Sequence, residues 1–193
     1  LRNMVGYGAK GKKISWPNNA KLALQIVLNY EEGGESCILN GDKYSETFLS
    51  EIIGAKAIKG RHISMESIYE YGSRAGFWRL DKLFKEKKVP VTIFGVGLAL
   101  KQNPEVCEAI KTGDYEIAAH GYRWIDYQNV KKSIEKKHML DAIKTIKDIF
   151  GTRPAGWYTG RCSPNTRDLV FDEGGFLYDS DSYGDDLPYW EHR

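Results

Sequence analysis

The chain has 193 residues, 41% of them hydrophobic and 28% charged, and its 28 Lys and Arg nearly balance 26 Asp and Glu for a net charge of +2. This profile fits one globular domain over residues 1–193 and excludes a disordered or fibrous chain and the basic footprint of a nucleic-acid partner. No apolar stretch approaches the ~18 residues of a membrane span, and LRNMVGYGAKGKK has no apolar signal core, so no membrane partner and a cytoplasmic location are expected.

Taken in chain order, KLALQIVLN (residues 21–29) is a short apolar run between WPNN and EEGG, the pattern of a strand buried on both faces. Residues 34–67 form a long excursion without a clear period. Over 74–88, Phe77, Leu80 and Phe84 make one helical stripe, with cationic residues in the last turn where the helix dipole favours them. VPVTIFGVG (89–97) predicts a second strand. In NPEVCEAIKTG, Asn103 is a candidate N-cap, Pro104 the first turn and Gly113 the stop. YEIAAHG (115–121) is a third strand, and Met139, Ile143, Ile146 and Phe150 stripe a long helix over about 130–150 that ends at Gly151. GTRPAGWYTG and GGFLYDSDS are further strand candidates. The chain begins with Leu and stops at DDLPYWEHR, just after a segment that reads as folded, so the domain is expected to lack its C-terminal part.

Alternating strands and helices imply parallel strands with right-handed crossovers, hence an α/β sheet or barrel. In such folds the site gathers at the C-terminal strand ends. Glu31 and Glu32 stand at the first of these ends, His120 at the third, Tyr158 and Arg161 near the fourth, and Asp179 and Asp181 near the fifth. Crowding Glu31 against Glu32 raises the pKa of at least one, and a carboxylate so tuned can act as general base on water. His62, His138 and His192 read as loop, helix-face and terminal residues, so no His-rich metal site is expected. Cys37, Cys107 and Cys162 are odd in number and widely spaced, and are expected as reduced thiols.

LNYEEGG, AAHGYRW and RPAGWYTGRCSPN together resemble the polysaccharide deacetylase family, the NodB-like carbohydrate esterases, whose motifs read T-F-D-D-G and H-S/T-x-x-H. That resemblance implies a distorted or incomplete (β/α) barrel. It also implies Glu31 as the base, and Glu32 and His120 as potential ligands of a divalent metal such as zinc. The second histidine position, however, is Trp124, whose indole nitrogen has no lone pair to offer a metal. MVGYG, NYEEGGE, SMESIYEYGSRAGFWRL, HGYRWIDY, GWYTGRCSPNTR and GGFLYDSDSYGDDLPYW resemble a narrower branch, the PuuE-type allantoinases. Membership there implies a cytoplasmic amidohydrolase of purine catabolism that opens the hydantoin ring of allantoin without a metal or other cofactor, assembled as a homo-oligomer, a tetramer.

Within that reading Glu31, Glu32 and His120 are the catalytic candidates. Trp124, Tyr158, Arg161, Glu70, Arg74 and Asp181 are the substrate-binding candidates, with Ser67, Tyr71, Asp179, Asp185 and Asp186 as secondary possibilities. A metal-dependent polysaccharide deacetylase, a cyclic imidase and a catalytically silent member of the fold are the alternatives. Chelation separates them: the first two lose activity, the allantoinase is indifferent and the silent member never turns over.

Overall fold

A computed structural model describes residues 2–191, so the terminal His192 lies outside the described residues. Its framework is a five-stranded sheet, β1 Val27–Tyr30, β2 Thr92–Gly95, β3 Glu116–Ala119, β4 Gly156–Trp157 and β5 Tyr178–Asp179. All neighbours pair in parallel and in chain order, with Tyr30 beside Gly95, Gly95 beside Ala119, and Ala119 beside Trp157. Sequential parallel order is the winding of a (β/α) barrel; here it forms an arc that is not closed among the described residues.

Helices α1 Ile63–Tyr71 and α2 Phe77–Lys87 are joined by a π-helical segment, Gly72–Gly76, into one connection between β1 and β2. The helices α3 Gly97–Gln102 and α4 Pro104–Thr112 link β2 to β3, α5 Lys132–Phe150 links β3 to β4, and α6 Thr166–Glu173 links β4 to β5. The Asn103 side chain accepts from Val106 N–H and caps α4, while Gly151 closes α5 in the left-handed conformation, as the sequence predicts. The core gathers Tyr30, Phe77, Ile93, Val96, Leu100, Ile110, Met139, Ile146 and Trp157 between the sheet and these helices. The three cysteines are free. No helix among the described residues is long and apolar enough to cross a membrane.

The first strand departs from its sequence reading. It is shorter than residues 21–29, and Leu22 and Leu24, 75% and 80% exposed, precede it outside the core. β1 is an edge strand among the described residues, and of its four residues only Tyr30 is buried while Val27 is exposed, so the apolar run is not covered on both faces. Part of the supposed excursion is in fact α1. Its pattern is misleading because Ile63 and Ile68 face outward while Met65 and Tyr69 are buried.

Candidate active site

Parallel register brings three strand ends to one place. His120 N–H donates to Gly95 O at 3.0 Å, and Tyr158 N–H donates to Ala119 O at 2.9 Å, so both residues leave the sheet at the level where Glu31 follows β1. His120 is 2% exposed, with Nε2 at 2.9 Å from Glu31 Oε1 and Nδ1 at 3.1 Å from Tyr158 O. A carbonyl only accepts, so Nδ1 carries a hydrogen and Nε2 faces the carboxylate. That contact requires one proton, held by either partner. Asn29 lies two positions before Glu31, on the same strand face, and its Nδ2 donates to the same Oε1 at 2.9 Å. Oε2 of Glu31 has no hydrogen bond within the protein among the described residues.

Glu32 turns the other way. Its Oε2 accepts from Glu31 N–H at 3.0 Å, and its carboxylate packs on the π-helical segment, where a Cβ on Gly72 would lie 2.3 Å from Oε1. Gly72 therefore gives Glu32 its space, and the extra residue of the π turn lies at this approach. Of the crowded pair, Glu32 is the carboxyl raised from its ordinary value. Burial is the main cause, backbone hydrogen bonds oppose it, and the charges of Glu31 and Glu35 add to it. Glu35 is also buried and raised, mainly by burial, and accepts from Gly33 N–H at 2.7 Å.

Beyond this centre lies a layer of aromatic and cationic groups. Trp124 N–H donates to Gly34 O at 2.8 Å, and the Arg161 guanidinium stacks 3.8 Å from the centroid of the indole ring. Arg161 also reaches Glu46 at 3.1 Å and lies 5.1 Å from the Phe48 ring, so the 34–60 segment folds back over the strand ends. Tyr158 packs at 4.8 Å from the rings of both Phe94 and His120 and accepts at its hydroxyl from Tyr183.

Among the candidates named from sequence, Glu31, Glu32, His120 and Tyr158 come together, with Trp124 and Arg161 stacked on each other in the adjoining layer. Asp181 supports the loop from beneath, its carboxylate accepting from Thr159 N–H at 2.9 Å and Gly160 N–H at 2.7 Å. Glu70 and Arg74 pair with each other at 2.9 Å on an exposed face, and Ser67 and Tyr71 are exposed as well. Asp179 accepts from Asp181 N–H, and Asp185 accepts from Tyr7 N–H, tying the two ends of the described chain together. Sequence reasoning missed Asn29, Glu35, Glu46, Phe48 and Tyr69. Two-residue strand spacing from Glu31 points to Asn29, and four-residue spacing from Met65 points to Tyr69. Glu46 and Phe48 carry no local signal.

The donors fit a divalent metal poorly. Both ring nitrogens of His120 are engaged, Glu32 is held by a backbone N–H and packed on Gly72, and Trp124 offers no lone pair. Among the described residues, no three His, Cys, Asp or Glu side chains converge as a metal site would require.

The polysaccharide deacetylase family signature matches residues 59–169. A polysaccharide-deacetylase-like protein of Schizosaccharomyces pombe is 42% identical over 196 residues, covering 95% of this chain and 61% of its own. A solved Pseudomonas aeruginosa structure described as a polysaccharide deacetylase is 58% identical with TM-score 0.95, covering 98% of this chain and 64% of its own. The solved PuuE allantoinase is 55% identical with TM-score 0.95, covering 100% of this chain and 64% of its own. The chain thus spans less than two thirds of the length of each of these relatives.

Proposed function

The chain belongs to the polysaccharide deacetylase family, on the branch that includes PuuE allantoinase, and from that membership we propose that it hydrolyses a cyclic amide, opening the hydantoin ring of allantoin to allantoate. The observation that carries this reading is the Glu31–His120 contact at 2.9 Å. The histidine that a metal-dependent relative would spend on its ion is instead paired with the carboxylate next to it, and Trp124 occupies the second histidine position.

The chemistry follows from these groups. Glu31, through its unengaged Oε2, takes a proton from water as the water oxygen bonds to the ring carbonyl carbon, and the C=O electron pair moves onto oxygen. Donors around the resulting oxyanion stabilise it; Arg161 is the local candidate, since the Gly33 and Gly34 N–H groups already donate to Glu35 and to Glu31 O. When the tetrahedral intermediate collapses, the C–N bond breaks and the ring nitrogen leaves with a proton supplied by the Glu31–His120 pair. Asn29 holds Glu31 in place, and the Tyr158 carbonyl fixes the tautomer of His120.

In this proposal the enzyme needs no metal or other cofactor, works in the cytoplasm on a small ureide, and assembles as a homo-oligomer. A polysaccharide deacetylase is the second reading, supported by the descriptions of the fission-yeast and Pseudomonas relatives. The test is allantoate production from racemic allantoin by chelator-treated full-length protein, beside Glu31→Gln. The proposal expects turnover that survives chelation and is lost in the variant. Turnover appearing only after a divalent metal is added would favour the second reading.

A further inference from the structure

Tyr69 carries the one buried side-chain polar atom among the described residues that finds no hydrogen-bond partner, its hydroxyl oxygen. The residue is 6% exposed, and its ring meets Trp124 edge-on at 6.0 Å. Buried hydroxyls nearly always find a partner, because an unmade hydrogen bond in a dry site is costly. This one is surrounded by polar groups and yet bonded to none.

Glu35 and Glu46 border the same small cavity as the phenol, and their charges, with those of Arg161 and Glu31, act on it. Each already has another partner: Gly33 N–H for Glu35, Arg161 for Glu46, and His120 with Asn29 for Glu31. Tyr69 stands three residues before Gly72, the residue that packs on Glu32, on one helical run. The small cavity beside the ring, about 10 Å³ and bordered by Glu35, Glu46 and Met65, is the size of a single water and admits no substrate. On its other side the Tyr69 ring meets Trp124, on which Arg161 stacks, so the phenol adjoins the layer beside the strand ends.

We propose that Tyr69 is a substrate-contact residue whose hydroxyl donates a hydrogen bond to the carbonyl oxygen of the amide that water attacks. This rests on the cyclic-amide reading above and names the group that recognises the reacting carbonyl. Burial holds the phenol well above the ordinary tyrosine range, so it keeps its proton at any working pH. The free protein tolerates the unpaired hydroxyl because substrate, not protein, is its partner.

The test is Tyr69→Phe in the full-length protein, which keeps the ring against Trp124 and deletes only the oxygen. The expected result is a ten- to hundredfold fall in kcat/KM for allantoin, with Tm unchanged or higher. Unchanged turnover overturns the proposal, and so does a lower Tm without a kinetic defect, the signature of a hydroxyl bonded to a water in the small cavity. If wild-type protein fails to turn over allantoin, the cyclic-amide reading itself falls. Hydantoin binding by calorimetry then decides for Tyr69: at least tenfold weaker binding in the Phe variant supports the contact, whereas equal affinity, or no binding by either protein, overturns it.

Discussion

His120 and Glu31, 89 positions apart in sequence, meet Nε2 to Oε1 at 2.9 Å, with the imidazole fixed from its other side by the Tyr158 carbonyl. Three strand ends must be in parallel register for these atoms to meet, so the contact depends on the sheet as a whole. The two side chains share one proton, and they are expected to behave as a unit rather than as independent contributors.

The first prediction follows from that unit. Glu31→Gln and His120→Asn should each lower kcat by roughly 10²–10⁴-fold, the usual range for a lost acid–base group. The double variant should be no worse than the poorer single variant, because either change already abolishes the shared proton. Steady-state kinetics on the three variants check this; multiplicative losses would mean that the residues act separately.

The second concerns pH and Glu32. Its folded-state pKa is raised, chiefly by burial, so its contribution to stability is fully present below the ordinary carboxylate value and is lost as pH rises through the raised one. Glu32→Gln removes the charge but can still accept from Glu31 N–H. The variant should therefore be more stable than wild type at pH 8, by about 1.4 kcal/mol for each unit of pKa elevation, with the gap closing toward pH 4. Thermal melts across that range should show a Tm difference of about 2–4 °C per kcal/mol. A constant gap would place the effect somewhere other than titration.

How much of this was legible in the sequence depended on whether the signal was local. The caps Asn103 and Gly151 and the buried strand Thr92–Gly95 were readable because each depends on neighbours in the chain. The candidates Glu31 and His120 were readable because parallel sheets put their chemistry at strand ends. Arg161 could be located, but not its stacking on Trp124 or its pairing with Glu46, which depend on how the 34–60 segment folds back. Helix α1 was hidden because two of its isoleucines are exposed. The apolar 21–29 run read as a buried strand because an apolar pattern does not record whether other elements cover it; Leu22 and Leu24 stay exposed ahead of the strand.

The third prediction uses the close approach at Gly72. Its φ is −54°, ordinary for a helix, so space rather than backbone strain demands glycine there. The three nearest neighbours of an added Cβ would all be atoms of Glu32. Gly72→Ala should displace that carboxylate, reduce turnover, and leave Tm unchanged or lower. In a Glu32→Ala background the same change should stabilise by up to ~1 kcal/mol, the helix-propensity difference between Gly and Ala. A double-mutant cycle measured by denaturant unfolding reads the coupling, which independent sites would not show.

The fourth separates two roles for Asp181. Its carboxylate accepts from the backbone N–H groups of Thr159 and Gly160, which precede Arg161 in the loop after β4. Charge-assisted bonds of this kind fix backbone, so the residue is expected to act on substrate only through the loop it holds. Asp181→Asn has one acceptor oxygen instead of two and turns an amide N–H₂ toward the donors, which should lower stability by roughly 1–3 kcal/mol. The loosened loop should then release Arg161 from its stack on Trp124, making the indole more accessible to a fluorescence quencher and raising KM more than it lowers kcat. If Asp181 instead touches substrate directly, KM should rise while Tm and quenching stay at wild-type values, and Asp181 would return to the substrate-binding set.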